Sequence, residues 1–129
     1  MLLAAADRSD PAHEACRDLL ESHPGPLITI EPVLAETGWL LERQLGAAAE
    51  AALYRSVANG ELGVQHLCSA DWTRIAELTE RYADQPLGGV DAGLIAVAER
   101  LGLTTIATLD RRHFGIVRPS HIKTLTLIP

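Results

Sequence analysis

Short runs of branched aliphatic residues, each separated from the next by a whole helical segment, constrain this chain more than any other feature. Residues 27–30 (Leu-Ile-Thr-Ile), 62–66 and 104–109 (Thr-Thr-Ile-Ala-Thr-Leu) are too short for helices and rich in the side chains that suit a pleated surface. Residues 124–128 offer a last strand of the same kind. Strands separated by helices, with no hairpin before the C-terminus, predict an α/β fold built on a small, mostly parallel sheet flanked by helices. In such sheets ligands gather outside the carboxyl ends of the strands.

The helices are marked by their punctuation. Residues 1–6 read as a short helical start. Asp10-Pro11 predicts an N-cap followed by proline in the first turn, with a helix to about His23 that Pro24-Gly25-Pro26 ends. Pro32 opens a helix to about Leu45, stopped by Gly46, and the Ala-rich residues 47–58 form another, stopped at Asn59-Gly60. Ser69 is expected to cap a helix over residues 71–82. Residues 86–89 read as a loop, 91–101 as a strong helix with Gly102 just past its end, and Arg111-Arg112-His113 as a turn.

At 129 residues the chain is long enough for one domain with a real core and too short for two, so residues 1–129 are expected to form a single domain. Aromatic residues make up only 4% against 47% hydrophobic, so the core must come from Leu, Ile, Val and Ala. Nothing approaches the length of a membrane span, and no secretory signal opens the chain, which predicts a cytoplasmic protein. Cys16 and Cys68 fit reduced, buried thiols, and neither has a Cys or His neighbour at zinc-site spacing. The net charge of −6 argues against a non-specific nucleic-acid coat, which would be basic. It leaves room for a metal-dependent nuclease, whose carboxylates collect where the cation sits.

Three acidic residues fall where that geometry would gather them. Asp110 follows directly on the strand 104–109; by itself it reads first as a turn residue capping what comes next. Asp91 opens a helix in line with Leu94, Ile95 and Ala98, on the apolar face, and is equally an N-cap. Glu36 flanks the apolar stripe of Val33, Thr37, Leu40 and Leu41, and taken alone reads first as a boundary residue favoured near a helix N-terminus. Glu42, Glu99 and Arg100 read as solvated faces. Hard cations such as Mg²⁺ take oxygen ligands and keep several waters, so two or more carboxylates suit one beside a phosphate. No nucleophile–His motif, Walker loop or dinucleotide fingerprint competes.

Taken together, the segments resemble VapC-type PIN domains. Ile30 to Leu41, around Glu36, resembles the family's second motif. Tyr82 to Gly102, around Asp91, resembles the third, and Thr105 to Phe114, around Asp110, resembles the fourth. Leu2 to His13 looks like the helix that follows the first motif. The resemblance implies a PIN-like three-layer fold and a Mg²⁺- or Mn²⁺-dependent endoribonuclease toxin, typically a homodimer paired with a small VapB-type antitoxin. It makes Glu36, Asp91 and Asp110 the metal-site carboxylates. Thr108 is placed to orient water at that site, and Asp84 stands at an acidic position with a supporting role at most. Arg111, Arg112 and His113 are placed to hold phosphates of the RNA, or else form a solvated turn.

The family's first motif is a central strand ending in Asp-Thr or Asp-Ser, and no counterpart precedes Met1-Leu2-Leu3. The natural start is therefore expected upstream. The missing Asp also keeps a second reading open, a catalytically silent PIN-like domain that serves as a binding partner for an antitoxin or RNA.

Overall fold

The computed structural model describes residues 1–129 except Pro86, so the first residue of the expected loop 86–89 lies outside the described residues. The chain divides into two units, residues 1–65 with Pro129, and residues 66–128.

The first unit holds α1 (Leu2–Ala6), α2 (His13–Ser22), β1 (Ile28–Ile30), α3 (Glu31–Leu45), α4 (Ala47–Ala58) and β2 (Gly63–Gln65). The expected N-cap at Asp10 is not one. Its carboxylate accepts the Ala12 N–H at 2.7 Å and its carbonyl accepts the His13 N–H at 2.9 Å, so Asp10 closes a turn and α2 begins at His13. His13 is buried and its Nδ1–H donates to the Ala4 carbonyl at 3.1 Å, tying α2 to α1. Gly46 separates α3 from α4 at φ +88°, a conformation that glycine alone adopts without strain. Gly38 lets the same two helices approach, because a Cβ there would collide with the Tyr54 hydroxyl. Leu41, Leu53 and Leu62 are the buried centre of this unit, with Leu2, Leu3, Leu27, Leu34 and Val57 around them.

The second unit holds α5 (Ser69–Arg81), α6 (Gly89–Leu101), β3 (Thr105–Ala107), α7 (Arg111–Ile116) and β4 (Thr126–Ile128). Its core is Leu78, Leu87, Ala92, Ile95, Ala98, Ile106, Phe114 and Val117. Helix α6 buries most of its length because Ala92, Ala96 and Ala98 are small enough for close packing beside Ile95 and Val97. Gly102 ends it in the left-handed region at φ +67°.

Both strand pairs are parallel, as expected, but they form two separate two-stranded sheets. Ile28, Thr29 and Ile30 face Gly63, Val64 and Gln65 in one; Thr105, Ile106 and Ala107 face Thr126, Leu127 and Ile128 in the other. Every strand has three residues, shorter than its apolar run suggests, because pairing ends where the partner does.

Two further expectations need correction. Cys68, not Ser69, caps α5: its thiol accepts the Asp71 backbone N–H while the Asp71 carboxylate accepts the Cys68 N–H at 2.9 Å. Cys68 is consequently exposed, whereas Cys16 is buried, and both are free thiols. Residues 111–113 begin a helix, α7, and are no simple turn.

Glu99 is not part of a solvated face, and Arg100, although exposed, is tied down by ion pairing. Arg74 on α5 reaches Glu99 with a two-pronged contact of 2.7 and 2.9 Å, and Glu99 also accepts the Ser120 N–H at 2.8 Å. Arg100 contacts both oxygens of Asp71 at 3.0 and 3.1 Å and donates to the His66 carbonyl at 3.2 Å. Asp71 is only 2% exposed. Burial alone would raise its carboxyl, but the Cys68 N–H and the Arg100 guanidinium outweigh that and hold it below the ordinary value. Glu99 is held down in the same way, burial opposing and Arg74 prevailing.

Candidate metal centre

The end of β3 and the start of α6 supply the site. Beyond Ala107 the chain keeps one more bond to β4, from the Thr108 N–H to the Ile128 carbonyl at 2.7 Å. The Thr108 hydroxyl then accepts the Asp110 N–H at 3.0 Å, which turns the chain sharply out of the strand. Asp110 becomes the N-cap of α7, its Oδ1 accepting the His113 N–H at 2.9 Å. The capping reading of Asp110 and the ligand reading are therefore compatible: one oxygen caps, the other faces the site.

That other oxygen, Oδ2, lies 2.7 Å from His113 Nδ1, and the same nitrogen lies 4.0 Å from Asp91 Oδ2. Asp91 is not an N-cap, because Gly88 holds that position and Asp91 is the third residue of α6. That places it in the first turn, where the helix dipole favours a negative charge. One ligand atom each from Asp91, Asp110 and His113 lie within 4.8 Å of one another. Hydrogen bonds from the His113 backbone, the nearby His113 ring and the Arg112 backbone hold the Asp110 carboxyl below its ordinary value, against a smaller opposing effect of burial. It is thus ionised and ready to ligate.

The donor set fits a divalent cation. Two atoms bound to one ion at about 2.1 Å can stand no more than about 4.2 Å apart; both separations from His113 Nδ1 lie inside that limit, and the three ligand atoms together lie within 4.8 Å. All three side chains remain partly exposed, which leaves room for water and a phosphate.

Among the residues expected from sequence, Asp91 and Asp110 are brought together. Glu36 lies on α3 in the first unit with an exposed side chain. Thr108 is buried and acts on the Asp110 backbone. Asp84 is exposed in the turn after α5, and Arg111 and Arg112 are exposed on the first turn of α7. His113 is the member of the cluster that sequence reasoning gave only a phosphate-holding role. Its signal was the spacing: an Asp at a helix N-cap brings the residue three positions on back to its own carboxylate.

The PIN domain family matches residues 1–118. The chain belongs to the VapC-type PIN-domain family. Ribonuclease VapC26 of Mycobacterium tuberculosis (strain ATCC 25618 / H37Rv) is 34% identical over 128 residues, covering 99% of this chain and 95% of that protein. The crystal structure of Mycobacterium tuberculosis VapC20, described as a sarcin-ricin loop cleaving toxin, shares the fold with a TM-score of 0.82 at 23% identity, over 95% of this chain and 93% of that one. The PIN fold accounts for the parallel strand pairs and the seven helices among the described residues. Among the described residues, no helix is long and apolar enough to cross a membrane.

Proposed function

We propose that this PIN-domain protein is a metal-dependent endoribonuclease toxin of a type II toxin–antitoxin system, acting in the cytoplasm as one domain over residues 1–129. The observation that carries the reading is the Asp91–Asp110–His113 cluster at the carboxyl end of β3, in a chain of this family.

Asp91 and Asp110 would hold Mg²⁺ or Mn²⁺, and Glu36 is the further carboxylate that the family resemblance adds, for the metal or for water. The cation, when bound, supplies positive charge beside the scissile phosphate and makes nearby water more acidic. Thr108 keeps Asp110 in register through its bond to the Asp110 N–H. Asp84 has at most a supporting role. Arg111 and Arg112 hold the RNA phosphates that flank the scissile bond. Charge distribution supports this: residues 111–129 carry Arg111, Arg112, Arg118 and Lys123 and no acidic residue, in a chain whose net charge is −6. The partners are an RNA substrate, a VapB-type antitoxin and a second copy of the chain.

The test is cleavage of total RNA by the purified chain with Mg²⁺, with Mn²⁺ and with EDTA. Cutting that needs metal and disappears in Asp91→Asn supports the proposal. A folded chain that binds the antitoxin yet leaves RNA intact with either metal would refute the catalytic assignment.

A further inference from the structure

We infer that His113 is itself a protein ligand of the metal, making the centre two carboxylates and one imidazole, with a preference for Mn²⁺ over Mg²⁺. The inference rests on the metal-site reading above and deepens it.

The geometry separates two jobs within His113. Its backbone N–H already satisfies Asp110 Oδ1 and starts α7, so the helix cap does not need the ring. The ring instead turns Nδ1 onto the opposite oxygen, Oδ2 of Asp110, and toward Oδ2 of Asp91. Around an octahedral ion with bonds of about 2.1 Å, neighbouring ligand atoms stand about 3.0 Å apart and opposite ones about 4.2 Å. The separations of 2.7 and 4.0 Å differ from those values by only a few tenths of an ångström. A small rotation of the ring therefore exchanges the hydrogen bond for a shared cation. The ring ligates as its other tautomer, with the N–H on Nε2.

The chemical consequence is selectivity. Carboxylate and water suit Mg²⁺ and Mn²⁺ alike, but an imidazole nitrogen favours the transition metal. His113 is thus a specificity-determining residue for the cation.

The first test uses the unmodified chain loaded with Mn²⁺ and electron-spin-echo spectroscopy, which detects a directly bound ¹⁴N. Modulation from one imidazole nitrogen is expected, absent in His113→Gln. Gln keeps a donor for Asp110 and the backbone cap. Calorimetry on the same pair should show Mn²⁺ affinity falling about tenfold or more in the variant, with Mg²⁺ affinity changing much less. Mn²⁺ bound with no nitrogen modulation in the unmodified chain would overturn this assignment while leaving the carboxylate site standing. No Mn²⁺ binding at all, in a folded chain, would overturn both.

Discussion

Helix α6 carries acidic chemistry at both ends, and the two ends are built differently. At its C-terminal end Glu99 and the α5 residue Asp71 are each matched by a guanidinium at both oxygens, and the Ser120 and Cys68 N–H groups each donate to one of those same oxygens. Glu99 and Asp71 are nearly inaccessible, their side chains 8% and 2% exposed. At the N-terminal end Asp91 and Asp110 crowd around one imidazole and stay open to solvent. Charge placed in a dry, fully matched setting fixes two helices against each other. Charge gathered with its like, at an open strand end, is organised to receive a cation. The contrast teaches that the partners of a carboxylate say more about its purpose than the residue type does.

The comparison breaks first on activity. Asp91→Asn and Asp110→Asn should each cut metal-dependent RNA cleavage by at least about a hundredfold, since loss of a ligand exceeds the effect of losing its supporting shell. Asn still caps a helix, so α7 should survive and thermal melting should shift little. The opposite end should behave oppositely. Asp71→Ala strands a guanidinium and a backbone N–H, and should cost about 2–4 kcal/mol in urea denaturation, somewhat under the range for fully buried pairs because Arg100 is partly exposed. Metal affinity in that variant should be unchanged.

Acid sharpens the same contrast. Asp71 and Glu99 have carboxyls held below their ordinary values of 3.8 and 4.5. The folded state then binds fewer protons than the unfolded one, so their contribution is complete above those ordinary values and fades as pH falls toward the lower folded ones. Denaturation midpoints measured from pH 6 to pH 3 should drop over that window, and Glu99→Gln should flatten the drop. A smaller effect is expected at Thr108. Thr108→Val removes the acceptor of the Asp110 N–H and should cost about 1 kcal/mol with a modest loss of rate, while Thr108→Ser should restore both. Smallest of all, Arg112→Ala should weaken RNA binding slightly and lower its salt dependence by about one phosphate contact.

Much of this was legible in the chain. Gly46, Gly102 and the Asn59-Gly60 stop fixed helix ends because they act locally. Asp91 and Asp110 were readable because one lies on an apolar helix face and the other ends a strand. Less readable was anything decided across elements. Glu99 and Arg100 look solvated along α6, and only the packing of α5 supplies Arg74 and Asp71 as partners. The Cys68 cap depends on a reciprocal bond with Asp71 that the better-known cap Ser69 obscures. The α7 helix was hidden by its shortness and by Gly115, although its N-cap stood in plain view at Asp110. The split of the strands into two separate pairs follows from tertiary pairing, which no single strand encodes.

The two ends of α6 divide binding from stability. Mn²⁺ calorimetry on Asp91→Asn and Asp71→Asn, with a urea melt of each, tests that division most directly. Asp91→Asn should keep its stability and lose the metal, while Asp71→Asn should keep the metal and lose stability. Undiminished Mn²⁺ binding by a folded Asp91→Asn variant would contradict that division.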